Sequence, residues 1–294
     1  MKPILTAIAA LCLLIDTPLL AQERVAERPP LDAILTPPQP AEAGEGREPA
    51  AERRVEWETD RDSFTPSAKT AGRRRLIVES AYSFIDNRGR KESHSLPELV
   101  ARYGVTDRIE LRLGWNYEVG GAASGVSASS SGEELFGAGL SRESSLNLGL
   151  KLGVTEQDRW IPESALILSA FTPTSGEETA TQFVGTYVVG WELPNRWKLD
   201  SAIRFAADSE RGDRFTEWAP SVVLKVPFGE KWDAHVEYFG IATNGKEHDR
   251  TVHYFSPGLH YLLTENVEVG FRLGWGLNDQ SARFFSNVGF GLRF

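Results

Sequence analysis

Phe284-Phe285-Ser286-Asn287-Val288-Gly289-Phe290-Gly291-Leu292-Arg293-Phe294 alternates with a period of two. Phe284, Ser286, Val288, Phe290, Leu292 and Phe294 share one face, while Phe285, Asn287, Gly289, Gly291 and Arg293 share the other. Only an extended strand has that period, because its successive side chains point to opposite sides of the backbone. The segment before it repeats the scheme, with Val267, Val269, Phe271, Leu273, Trp275 and Leu277 set against Glu268, Gly270, Arg272, Gly274 and Gly276. Ile109, Leu111, Leu113, Trp115 and Tyr117 alternate with Glu110, Arg112, Gly114, Asn116 and Glu118, and Leu146 to Leu152 behaves likewise. No stretch from Leu76 onward shows apolar residues at helical spacing.

Counting such units gives twelve, near 74–85, 95–105, 108–118, 143–154, 162–172, 181–192, 197–207, 215–227, 231–241, 250–263, 267–277 and 283–294. Each is at least as long as the roughly 9–11 residues that a tilted strand needs to cross a bilayer. Short connections follow the even strands, as at Thr106-Asp107 and Thr264-Glu265-Asn266. Longer polar ones follow the odd strands, the largest being the Ser- and Gly-rich 119–142. An even number of antiparallel strands, short turns at one end and long loops at the other, is the plan of a closed outer-membrane barrel. Trp115, Trp160, Trp191, Trp197, Trp218, Trp232 and Trp275 near strand ends suit the two aromatic girdles of such a barrel. A soluble β-sandwich also alternates, but with shorter and less uniform strands.

Composition narrows the function classes. The single Cys (Cys12) and single Met (Met1) of the 294 residues lie in the first dozen, so a disulfide framework, a Cys-based metal site and a thiol nucleophile are excluded downstream. With 32 Lys+Arg against 41 Asp+Glu the net charge is −9, which provides no basic field for nucleic acid. Lys2, the apolar run to Ile15 and Ala21 before Gln22 have the form of a cleaved secretory signal peptide, residues 1–21. Asp16 and Pro18 interrupt that run too early for a membrane anchor. Residues 22–70 are rich in Pro, Glu, Arg and Ala and read as a disordered periplasmic linker, with threading into the barrel as the alternative. The barrel is assigned to 71–294.

The C-terminal run from Asn287 to Phe294 resembles the terminal-strand signature read by Gram-negative barrel-assembly machinery, with Phe290, Leu292 and Phe294 as the candidate assembly signal. The stretch from Ser164 to Phe294 also resembles the outer-membrane family of transporters associated with the meta-pathway of phenol degradation. Ala165-Leu166-Ile167-Leu168-Ser169-Ala170-Phe171-Thr172-Pro173-Thr174-Ser175-Gly176, Tyr238-Phe239-Gly240 and Ser256-Pro257-Gly258-Leu259 carry that resemblance. It implies a cell outer-membrane barrel that passes small hydrophobic or aromatic molecules, with lipid, the assembly machinery and the solute as partners. It brings no cofactor and no catalytic residues.

Putting the polar parity of each strand inside gives acidic Glu79, Glu98, Glu110, Glu118, Asp200, Glu217, Asp233, Glu237 and Glu268. The basic residues on that parity are Arg102, Arg112, Lys151, Lys198, Arg204, Lys225, Arg272 and Arg293. So balanced a set argues against strong ion selectivity. The candidate lumen-lining residues are Glu110, Arg112, Lys151, Arg204, Glu237, Glu268, Arg272 and Arg293, with Arg112 and Arg272 expected to set the constriction. The fifth strand is apolar on both faces through Ala165, Leu166, Ile167, Leu168, Ala170 and Phe171. Its inner face is either a sliding surface for hydrophobic solutes or packing against an inserted segment. An outer-membrane hydrolase would need a Ser beside a His, but His253 and Ser256, three apart, fall on opposite faces of one strand. His94, His235, His248 and His260 lack a partner of matching parity in their own segments, and no His pair sits at metal-ligand spacing. The expectation is therefore a passive channel and no enzyme, with a non-conducting plugged or structural barrel as the alternative.

Overall fold

The computed structural model describes residues 58–294 except 62, 90, 121–140, 177–179, 211–212 and 247–248. Twelve antiparallel strands close into one barrel, each strand paired with its sequence neighbours and the first with the last. They are β1 (Leu76–Asp86), β2 (Ser93–Gly104), β3 (Ile109–Gly120), β4 (Ser141–Thr155), β5 (Glu163–Ser175) and β6 (Gln182–Glu192), followed by β7 (Lys198–Glu210), β8 (Asp213–Phe228), β9 (Trp232–Asn244), β10 (Thr251–Thr264), β11 (Val267–Gly276) and β12 (Phe284–Arg293). At the seam, Ile77 faces Arg293 and Asp86 faces Phe284 in register, and the backbones of Leu76 and Phe294 exchange hydrogen bonds. Closure gives every strand two neighbours, which is what allows strands to stand in hydrocarbon.

The alternation sorts residues as the period of two requires. Leu148 (55% exposed), Val288 (50%) and their outward neighbours form an apolar exterior. A band of that kind is larger than a soluble surface sustains, and it is the surface a bilayer covers. Trp160, Trp191, Trp197 and Trp232 lie at the end with the short turns, and Trp115, Trp218 and Trp275 toward the loops. Inward positions are buried: Glu79, Ala81, Ser83 and Ile85 on β1, and Phe285 and Asn287 on β12.

Glycines on the inner face make room for large neighbours. Gly274 faces Phe285 across the β11–β12 ladder, and a Cβ on it would lie 2.1 Å from the ring. Gly258 faces His235 across β9–β10, and a Cβ there would lie 2.2 Å from the imidazole. The large inward side chain of one strand therefore lies across the bare backbone of the next.

Two features differ from the sequence reading. The expected loop after the seventh strand is largely ladder: β7 and β8 stay paired out to Glu210 opposite Asp213. Pairing beyond the apolar band needs only backbone hydrogen bonds, so polar sequence does not end it. The expected linker falls outside the described residues as far as 57, but residues 59–61 and 63–68 of its final part are buried inside the barrel and form no free tether. The expected signal peptide, most of loop 119–142 and His248 also lie outside the described residues.

Candidate functional site: an occupied lumen

Residues 58–71 turn into the barrel and out again as irregular backbone. That backbone has no ladder to satisfy its N–H groups, and a buried N–H without an acceptor is costly. Glutamates on the wall supply the acceptors. The N–H groups of Asp60 and Arg61 donate to Glu79 Oε2 at 2.8 and 2.9 Å. Those of Phe64 and Thr65 donate to Glu237 at 3.0 and 2.7 Å, joined by the Thr65 hydroxyl at 2.7 Å. The N–H of Ala71 donates to Glu110 at 2.6 Å. Three wall carboxylates on β1, β9 and β3 thus hold the segment by its main chain.

Side chains add a charged network on the β1–β4 wall. Asp60 Oδ2 lies 2.6 Å from Arg112, 3.6 Å from Arg102 and 3.7 Å from Lys151. Arg102 also reaches Glu79 at 2.9 Å and Glu110 at 3.0 Å, and Arg112 reaches Glu110 at 2.9 Å. Arg61 pairs with Glu98 at 3.3 Å and donates to Asn116 at 3.1 Å. At the mouth with the short turns, Glu58 bridges Lys198 (2.7 Å) and Lys225 (3.0 Å). Each buried charge here has an opposite charge within contact, as burial demands.

The opposite wall sets an aromatic and aliphatic cluster beside the Glu237–Arg272 pair. Phe64 stacks on Phe239 with ring centroids 4.3 Å apart and planes 7° from parallel, and the Arg204 guanidinium lies 4.4 Å over the Phe64 ring. Phe239 stacks in turn on Tyr254 at 4.9 Å, with Phe285 edge-on to Tyr254 and Ile85, Ile241, Val252, Ala219 and Ala282 completing the cluster. Lower down, Ala68 packs on Ala165, Val188 and Ala202, while Phe171, Val184 and Ala206 form a separate cluster. The apolar inner face of the fifth strand is therefore divided, with Ala165 against Ala68 of the inserted segment and Phe171 against Val184 and Ala206.

The sequence-predicted site residues are distributed as follows. Glu110, Arg112 and Lys151 join the charged network. Glu237 and Arg272 pair at 3.0 Å beneath the Phe64 turn. Arg204 caps Phe64. Glu268 accepts the Thr59 hydroxyl at 2.9 Å and lies 3.7 Å from His260. Arg293 stands apart at the short-turn mouth, donating to Asn266 Oδ1 at 3.2 and 3.0 Å. Phe290, Leu292 and Phe294 face outward on the last strand, with Phe294 70% exposed. His235 and His260 share a hydrogen bond of 2.7 Å across β9 and β10, a pairing that only the register reveals. His94 meets the Tyr82 hydroxyl and His253 that of Tyr238, each at 2.8 Å on the outer side. Among the described residues no group of three or more His, Cys, Asp or Glu is placed to hold a metal.

Asp60, Arg61, Phe64 and Thr65 were missed because they lie in a stretch without periodicity. The inward aromatics were within reach, since Asp233, His235, Glu237, Phe239 and Ile241 share one parity.

Among solved structures the chain is similar to the NanC porin, with a TM-score of 0.51 and 9% identity over 74% of this chain and 98% of that one. It is also similar to an outer-membrane channel from Pseudomonas putida F1, with a TM-score of 0.49 and 14% identity over 81% of this chain and 100% of that one. The likeness to the porin is one of fold, a closed antiparallel barrel. No curated protein sequence matches the chain. A family model described as "Putative MetA-pathway of phenol degradation" matches residues 59–294, a span that includes the inserted segment as well as all twelve strands. The chain belongs to that family.

Proposed function

We propose that this outer-membrane barrel passes small molecules, hydrophobic and aromatic ones among them, by passive diffusion. The observation that carries the reading is the aromatic cluster of the inner wall: Phe239, Tyr254, Phe285, Ile241 and Val252 face inward and give an apolar solute a surface beside the paired Glu237 and Arg272. Residues 1–21 are a removed signal peptide in this reading, and 22–57 a periplasmic tether. Phe290, Leu292 and Phe294 serve the assembly machinery, and lipid covers the exterior. Catalysis plays no part.

A second reading has its own support, because residues 58–71 fill the lumen and a plugged barrel would carry no solute. Single-channel recording of the refolded protein in a planar bilayer separates the two. A current that is small in buffer and rises on addition of benzyl alcohol is the expected result. A barrel that inserts with no current and admits no aromatic solute into vesicles would leave the plugged reading standing. Replacing Arg112 and Arg272 together by Ala changes conductance and ion selectivity if they line the constriction, since both are buried where the segment meets the wall.

A further inference from the structure

Phe64 has the environment of a bound ligand. One face of its ring lies on Phe239 at 4.3 Å, and the other is covered by the Arg204 guanidinium at 4.4 Å. An aromatic ring between an aryl face and a cation is held by dispersion and by the attraction of the cation to the ring quadrupole. Beside it, the Thr65 hydroxyl and two backbone N–H groups converge on Glu237, whose other partner here is Arg272. The contact is non-covalent, and the segment that presents it has no ladder of its own.

We propose that Phe64 and Thr65 occupy a solute site as an internal surrogate ligand, and that a solute with a flat aromatic ring and a hydroxyl or amino donor takes their place. The ring of the solute fills the slot between Phe239 and Arg204. Its donor replaces the Thr65 hydroxyl on Glu237. Competition between solute and surrogate then links occupancy of the site to release of residues 58–70 from the lumen. This rests on the transport reading above and adds to it the site and the gate.

Ala68 reports the release directly, because it is 3% exposed against β5, β6 and β7 when the segment is seated. In the full-length mature protein carrying Ala68→Cys, labelling by a charged maleimide is slow in buffer. Benzyl alcohol accelerates it several-fold, and toluene, which has the ring without the donor, does so less. Phe64→Ala in the same background raises the basal labelling rate and lowers the benzyl alcohol concentration needed for half-maximal effect. Labelling indifferent to both solutes would overturn the proposal, and equal acceleration by both would overturn the role of Glu237.

A locking pair extends the test to transport. A Cβ on Gly190 would lie 3.3 Å from that of Ala68, close to disulfide range, and 2.4 Å from Asp200 Oδ1, so Ala68→Cys with Gly190→Cys fastens the segment to β6 once the Asp200 carboxylate turns aside. Oxidation is expected to abolish uptake of benzyl alcohol by proteoliposomes, and reductant to restore it. Uptake equal in both states would overturn displacement while leaving the transport reading intact. Uptake absent in both states, with labelling still accelerated, would sustain the surrogate site and defeat the transport reading.

Discussion

The two walls that enclose the inserted segment are both buried and differ in what dominates them: a web of ion pairs on one, and stacked rings around a single Glu237–Arg272 pair on the other. On the β1–β4 side, Asp60 sits among Arg102, Arg112 and Lys151. On the β8–β12 side, Phe64 sits among Phe239, Tyr254 and Phe285. A buried ionic wall depends on completeness, because removing one partner leaves its neighbours charged in a low dielectric. An aromatic wall is graded, losing contact in proportion to what is removed. The charged side therefore fixes where the segment sits, and the aromatic side can exchange one ring for another.

The largest expected break is at Arg102, which contacts Glu79, Glu110 and Asp60 together. Arg102→Ala is expected to cost about 3–5 kcal/mol in urea unfolding from lipid vesicles, the usual loss on breaking a buried ion pair. An unchanged midpoint would mean that the charged wall is not what holds the lumen. On the other wall, Phe64→Ala should cost about 3 kcal/mol, the lower end for a buried Phe. Its signature is a faster-labelled segment around an intact barrel.

Thr65→Val keeps the shape and removes one hydrogen bond to a carboxylate, worth about 2 kcal/mol. Its labelling rate is expected between those of wild type and Phe64→Ala, and a rate above the latter would reverse the ranking of ring over donor. Arg108→Ala sets the floor. Its pair with Glu156 is at the rim, with side chains 62% and 78% exposed, so a change under about 1 kcal/mol is expected in the same assay.

The barrel was legible because its evidence is repeated. Leu111, Leu113 and Trp115, or Val267, Val269 and Phe271, each mark a strand, and twelve such marks agree on strand number and inner face. Parity also placed Glu110, Arg112, Lys151, Glu237 and Arg272 inside. What parity does not carry is the content of the lumen. Asp60, Phe64 and Thr65 take their positions from contacts with Arg112, Phe239 and Glu237, at separations of 52 residues and more. A composition rich in Pro and charge reads as unstructured until a wall with complementary acceptors is present to order it.

Both ends of the inserted segment lie at the same mouth. Glu58 is held by Lys198 and Lys225, at the start of β7 and near the end of β8, and Thr70 donates to Asp107 in the turn between β2 and β3. A chain that entered at one mouth and left at the other would be threaded, and freeing it would require the β1–β12 seam to part. A chain that dips in and returns can be drawn out like a loop of rope from a well, with every strand still in register. The wall can thus keep the membrane sealed against lipid while its contents come and go, and the work of opening falls on the ion pairs of Glu58, Asp60 and Arg61, a few hydrogen bonds and one stacked ring.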